Sequence, residues 1–523
     1  MRFVHVAQGI SRGSPGRSPA INLEVKVLLV FPQRHRARRD ATCCLIAAVL
    51  VLVSPTAATT QEVATPTVTG PVPSQRKPDD SARSYIFYST PMNLIKVGYV
   101  EQEYFISGSA TRYSFPTTPG DATVIGTMPY RTRIVVRRPA SPNKFKGVVV
   151  VDWQNVTAGH DIDTEWALAS EFFIRSGWAW VGASVQRIGV HGFEVPNPSA
   201  GRGLRQWSPT RYESLDVTNG GTVTDDSQSY DIYSQIAHML KHPRGVNPFD
   251  GMKVERVYAG GVSQSANFLI RYYNSVQPTS KAYDGFVIGT GGARPRLDLP
   301  TKLFKVNTET DVWRGQAAVR VPDTDATHTW ELAGASHVGA AMMSPDTNNF
   351  RAILGGILAR DIRPQALPSQ CVRPYASDVE TWAVYSAAYA ALDRWVTKGV
   401  KPPTAVPIQV SAAPASPELA TIVRDNNGIA VGGIRLPRVV LPTALNTGEN
   451  LPANTTDPAS RFCVLFGTHI PFDAAKVKAL YPSRAAYLRE VKRVVDQLVR
   501  GGFILKADAP TLLRNAANAG LGT

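Results

Sequence analysis

Between residues 132 and 332, short and nearly unbroken apolar runs alternate with segments of helical period. Thr132–Arg137, Gly147–Asp152, Trp178–Ser184, Val254–Ala259, Tyr283–Gly289, Leu303–Thr308 and Thr327–Leu332 have the length and β-branched content of strands. Between them, Thr164–Ser176, Tyr230–Lys241 and Ser265–Val276 read as helices. In the second of these, Ile232, Ile236, Met239 and Leu240 form one stripe. A Val/Ile run without polar alternation has to be buried on both faces. A mainly parallel sheet with helices on each side provides that. The pattern therefore predicts an α/β fold of this architecture. At 523 residues, 43% apolar and 19% charged, the chain has enough material for a large core without disulfides.

One strand-to-helix junction carries chemistry. In Gly261-Val262-Ser263-Gln264-Ser265 the serine sits at the apex of a small-residue turn between the strand ending at Ala259 and the helix starting near Ser265. This is close to the nucleophile elbow G-x-S-x-G, where a strained turn lifts the serine oxygen clear of the sheet. Ser265 departs from glycine but stays small. A hydroxyl nucleophile needs a base, and the base needs an orienting acid. Leu303–Thr308 runs directly into Glu309 and Asp311, and the strand at 327–332 runs into His337, which is flanked by small residues. Serine, acid and histidine thus follow in the order that α/β hydrolases use, each at the end of a strand. Asp311, three residues beyond its strand, suits the acid position better than Glu309, but both stay open.

The negative charge that forms during acyl transfer needs N–H donors. Gln264, at the helix N-terminus, supplies one main-chain N–H. The loop Trp153–His160 is expected to supply another, with Asn155 and Val156 as the candidates. Other histidines are weaker candidates. His238 and His242 lie four apart on a helix, but Met239 stands where a metalloprotease pattern needs Glu. His160, His191, His328 and His469 read as structural residues. The glycine clusters at 290–292 and 432–433 lack the frame of a nucleotide loop. No metal and no cofactor is expected.

The N-terminus reads as an export signal over residues 1–58. Arg34–Arg39 is the basic part, Cys43–Val53 is an apolar run too short to span a bilayer, and Thr56-Ala57-Ala58 offers small residues for cleavage. Residues 59–84, rich in Thr, Pro and Ser, read as a flexible linker. Removing the signal leaves Cys371 and Cys463, and an even pair in an oxidising compartment predicts one disulfide. A secreted or periplasmic location follows. Asn155-Val-Thr and Asn454-Thr-Thr are glycosylation sequons of low specificity. The net charge of +15 is scattered, without a basic stripe, which argues against nucleic-acid partners. No other stretch is apolar for long enough to cross a membrane.

Two later helices are well punctuated. Ser377-Asp-Val-Glu380 reads as a capping box opening a helix that closes at Gly399, and Ser483 caps another that ends at Gly501. Residues 400–475 are Pro-rich and give no clear elements. The catalytic domain is placed at 85–516, with an insertion at about 185–230 and a C-terminal extension at about 340–516. The insertion and part of 340–475 are expected to wall the substrate pocket.

Several stretches together resemble the large bacterial "alpha/beta hydrolase domain" family of secreted or periplasmic serine hydrolases. They are Tyr130–Pro139, Val151–Val156, Gly182–Gln186, Gly261–Ser265, Asn307–Asp311, Gly432–Pro437 and Pro471–Asp473. The resemblance runs from about Gly98 to Ala516. It implies an α/β-hydrolase fold and Ser-His-acid chemistry and leaves the substrate unspecified. The sequence thus points to a serine esterase acting on a small-molecule carboxylic ester. An amidase, lactonase or acyltransferase on the same triad, or a non-catalytic binding protein of this fold, is the alternative.

Overall fold

A computed structural model describes residues 62–75, 82–193, 203–340, 371–411, 419–456 and 460–519. The expected export signal lies outside these residues. Nine strands form one sheet: β1 (Thr67–Thr69), β2 (Tyr99–Ser114), β3 (Thr123–Pro139), β4 (Val148–Trp153), β5 (Ala179–Ala183), β6 (Arg256–Val262), β7 (Gly285–Gly289), β8 (Lys302–Thr308) and β9 (Thr327–Leu332). Their spatial order is β1-β2-β3-β5-β4-β6-β7-β8-β9. From β5 through β9 all neighbours are parallel, and β1, β2 and β3 add an antiparallel edge.

The run Val148–Val151 shows why this sheet forms. Successive side chains point to opposite faces. Val149 and Val151 join one core layer and Val148 and Val150 the other, all four fully buried. Each such side chain contributes about 1.5–3 kcal/mol relative to exposure. The first layer is covered by α2 (Ser229–Lys241) and α3 (Gln264–Ser275), the second by α1 (Thr164–Ser176) and α4 (Thr381–Lys398). Gly289 lets α4 approach closely: a Cβ there would lie 2.0 Å from the Tyr385 hydroxyl. The later helix α5 (Arg484–Gly501) buries Tyr487, Val491 and Val495 in the same layer, and Ser483 caps it as expected by accepting from Ala486 N–H at 3.1 Å.

Three sequence expectations need correction. The supposed flexible linker over 59–84 contains β1, which pairs with Phe105–Ser107 and buries Val68. The strand before the elbow continues to Val262, because Gly260 and Gly261 still pair with the flanking strands. The residues at 377–380 do not form a capping box. Helix α4 begins at Thr381, the Ser377 hydroxyl donates to Gly334 O at 2.6 Å, and Glu380 pairs with Arg438 at 3.0 Å. Within 400–475, Ala444–Thr447 and Thr468–Pro471 form a small antiparallel pair, β10 and β11. Cys371 and Cys463 are bonded, with Cα atoms 5.5 Å apart. Among the described residues no helix is long and apolar enough to cross a membrane.

Candidate active site

Ser263 follows β6 directly and opens α3 with φ +65° and ψ −118°, a backbone region that residues other than glycine rarely adopt. The strain is held by hydrogen bonds on either side. Ser263 N–H donates to Gly289 O at 3.0 Å. The Ser265 hydroxyl donates to Val262 O at 2.8 Å and accepts from Val262 N–H at 3.0 Å. This double contact explains serine in place of the second glycine of the pattern: the fully buried hydroxyl ties the turn to its own strand.

His337 Nε2 lies 2.8 Å from Ser263 Oγ, and His337 Nδ1 lies 2.7 Å from Asp311 Oδ1. The other Asp311 oxygen accepts from Thr308 N–H at 2.7 Å and from the Thr308 hydroxyl at 2.6 Å. With both oxygens engaged the carboxylate cannot rotate freely. His337 N–H donates to Thr310 Oγ1 at 3.2 Å, and the Thr310 hydroxyl donates to Gly448 O. The short helix Glu309–Trp313 therefore orients both the acid and the histidine loop. The His337 and Asp311 side chains are 10% and 6% exposed, so this contact sits in a poorly solvated setting.

Glu309 does not meet the imidazole. Its carboxylate turns away and accepts from Gly334 N–H at 2.6 Å, Gly448 N–H at 3.0 Å and Arg424 at 2.9 Å. Burial pushes this carboxyl above the ordinary range, and Arg424 and the two amides pull it back. Glu309 thus clamps the C-terminal extension to the end of β8 and β9. The bridging Arg424 also pairs with Glu449 at 2.6 Å.

Gln264 N–H is the first of the helix and has no intrahelical acceptor. The loop after β4 differs from the expectation. Asn155 N–H donates to Ile162 O at 3.2 Å, so Asn155 is not a free main-chain donor. Its side chain instead ties the loop to the elbow, donating from Nδ2 to Val262 O at 3.0 Å and accepting from Thr157 N–H at 2.8 Å. Asn155 is 3% exposed, which also leaves its sequon out of reach in the folded protein. Val156 N–H faces the side-chain oxygen of Gln264 at 3.2 Å.

The far end of that loop is pinned by buried charges. Arg133 pairs with Glu103 at 3.0 Å and Asp161 at 3.2 Å, all three fully buried or nearly so, and Arg137 pairs with Asp163. Sequence reading does not find these residues, because a buried arginine in a strand looks like a polar interruption. Gln186, in the segment after β5, accepts from Gln264 Nε2 at 2.6 Å. His160 packs between Phe87 and Tyr88, and burial pushes it down to about 4, so it is neutral at physiological pH. The His238 and His242 rings lie 4.8 Å apart, tilted by 43°, and among the described residues no group of three metal-ligating side chains gathers.

No curated protein matches the chain significantly. Among solved structures it is similar to a serine hydrolase without a lid from Xanthomonas campestris at 11% identity, covering 49% of this chain and 96% of that one, with a TM-score of 0.23. A rice cell wall degrading esterase from Xanthomonas oryzae overlaps at 13% identity, 37% and 43% coverage and a TM-score of 0.22. A glucuronoyl esterase from Solibacter usitatus overlaps at 9% identity, 45% and 76% coverage and a TM-score of 0.23. Overlaps of this size say nothing about substrate. The family rests instead on the sequence match over residues 68–514, and by that match this chain belongs to the alpha/beta hydrolase domain family.

Proposed function

We propose that the protein is an exported serine esterase that cleaves a small carboxylic ester through an acyl-enzyme. The observation that carries this reading is the pair of contacts on one imidazole, 2.8 Å to Ser263 Oγ and 2.7 Å to Asp311 Oδ1. His337 Nε2 takes the hydroxyl proton as Ser263 attacks the ester carbonyl, and returns it to the leaving alcohol. Water then enters by the same route and releases the acid. Asp311 holds Nδ1–H and balances the imidazolium. Glu309, turned away from His337, is a brace and not the triad acid. Main-chain N–H of Gln264 stabilises the oxyanion, a contact of the kind worth about 2.7–4 kcal/mol per donor. The chemistry needs no cofactor.

Export is supported by the basic and apolar N-terminal sequence and by the Cys371–Cys463 bond, which persists in oxidising compartments. The test is turnover of p-nitrophenyl acetate. The parent hydrolyses it and Ser263→Ala does not. Turnover that survives this substitution removes Ser263 from the mechanism.

A further inference from the structure

An oxyanion hole needs two N–H groups that are free to turn to the same oxygen. At rest this site offers one. Gln264 N–H is open, but along the opposing loop every N–H from 154 to 157 has an acceptor. Gln154 N–H goes to Ala183 O at 3.4 Å and Asn155 N–H to Ile162 O at 3.2 Å. Those acceptors are main chain, fixed by the sheet and by the loop's own bridge. Thr157 N–H goes to Asn155 Oδ1, and that amide is itself pinned to the elbow through Val262 O. Val156 N–H is different: its acceptor is the half-exposed side chain of Gln264.

The orientation of that side chain is set by its neighbours. Gln186 Nε2 donates to Gln154 O at 3.1 Å and to Gln264 Oε1 at 3.2 Å, and Gln264 Nε2 donates to Gln186 Oε1 at 2.6 Å. Flipping the Gln264 amide would set two donors against each other at Val156. Gln186, 2% exposed and tied to the loop, is the fixed partner. Gln264, only partly buried, is the member that can move.

We propose that Gln264 gates its own oxyanion hole: its side-chain carbonyl covers Val156 N–H at rest, with Gln186 as the holder, and the substrate's carbonyl oxygen displaces it. The hole then closes around the oxyanion with Gln264 N–H on one side and Val156 N–H on the other. The inference rests on the proposed Ser263 chemistry and adds a positioning role for two side chains. A ligand with no oxygen to offer Val156 leaves the gate shut, so the device favours carbonyl compounds over apolar molecules of equal size.

Phenylboronic acid is the probe, since its adduct on Ser263 places an oxygen where the oxyanion sits. Gln264→Ala keeps the main-chain donor and removes the cover. It is expected to bind phenylboronic acid roughly tenfold tighter, equivalent to about 1.4 kcal/mol and on the scale of one neutral hydrogen bond. Gln186→Leu is expected to shift binding in the same direction by less. Unchanged or weaker binding by Gln264→Ala overturns the gate. A crystal structure of the parent adduct asks the question without a mutation. Gln264 Oε1 withdrawn from Val156, with the boronate oxygen in its place, supports the gate. An adduct on Ser263 with Gln264 unmoved overturns it and leaves the triad standing. A parent that forms no adduct and turns over no ester fails the triad reading, and the gate falls with it.

Discussion

The main-chain N–H of Val338 donates to the carbonyl of Leu465 at 2.8 Å. Leu465 lies two residues from Cys463, and Cys463 is bonded to Cys371 across 92 residues of sequence. The residue after the candidate base is therefore hung on a segment that the disulfide secures. Nearby, Ala340 N–H donates to Ser377 O at 2.7 Å and Ser377 N–H to Phe466 O at 3.1 Å.

Reduction of this bond is expected to act first on His337 and later on the fold. Closing a loop of this length contributes roughly 4–5 kcal/mol in the chain-entropy account. The loop includes α4, but neither cysteine belongs to the two core layers, whose packing does not depend on the bond, so the sheet should survive. Cys463→Ser is expected to lower kcat on p-nitrophenyl acetate by about tenfold, a misplacement effect, with far-UV circular dichroism unchanged. Full activity in the reduced or substituted protein would detach the disulfide from the site.

The two carboxylates after β8 are expected to separate by role. Asp311→Asn keeps the shape and loses the charge that balances the imidazolium, and kcat is expected to fall about 10³- to 10⁴-fold with little loss of stability. Glu309→Gln leaves the imidazole untouched and weakens the clamp on Arg424 and Gly448. It is expected to cost about 1–3 kcal/mol in urea unfolding, with kcat within tenfold of the parent. The reverse pattern would exchange the assignments.

Much of this arrangement is legible in the sequence, for a physical reason. Ser263, Asp311 and His337 each follow a buried strand by one to five residues, and such strands announce themselves as apolar runs. Their order and position therefore survive without a fold in hand. The antiparallel edge is harder. Tyr99–Ser114 carries Glu101, Glu103 and Arg112, and nothing local says that Glu103 is fully buried against Arg133. The donors of the oxyanion loop are harder still. Whether Asn155 N–H is free depends on Ile162, and whether Val156 N–H is free depends on a side chain 108 residues away. Within 400–475, Arg424 is held by Glu309 and Ala420 by Trp313 O, distant partners that no local periodicity announces.

The fifth residue of the elbow offers a counter-intuitive variant. Ser265→Gly restores the glycine of the general pattern, yet it removes a hydroxyl that satisfies both polar groups of Val262. Val262 O keeps its Asn155 donor, but Val262 N–H loses its side-chain acceptor, and leaving a buried main-chain group unpaired costs about 1–3 kcal/mol. Added backbone freedom at the first turn of α3 costs a further fraction. The variant is expected to melt several degrees lower and to lose activity by less than tenfold. A neutral or stabilising Ser265→Gly would mean that the hydroxyl carries no such role.

Beneath the elbow lies a buried carboxyl that should shape the stability of the protein against pH. Glu165, on α1, accepts from the Tyr389 hydroxyl at 2.7 Å, and its own N–H donates to Asp152 Oδ2 at 3.2 Å. Asp152 also accepts from Trp180 Nε1 at 3.3 Å. Tyr385 and Tyr389 face the pair from α4, Tyr233 from α2, and Asp163, itself paired with Arg137, from the end of the β4 loop. Burial pushes Glu165 up to about 8, against an ordinary value of 4.5, and Asp152 is raised in the same direction by burial and by Glu165. The folded protein therefore holds protons that the unfolded chain releases, and its stability falls as pH rises from about 4.5 to about 8, by at most about 1.4 kcal/mol per pH unit for one group. Glu165→Gln mimics the protonated acid and should flatten this part of the curve. Melting temperatures measured at pH 5 and pH 8 check it: the parent should drop more between the two than the variant, and the variant should be the more stable of the two at pH 8. Parallel curves would mean that Glu165 does not hold its proton in the folded state.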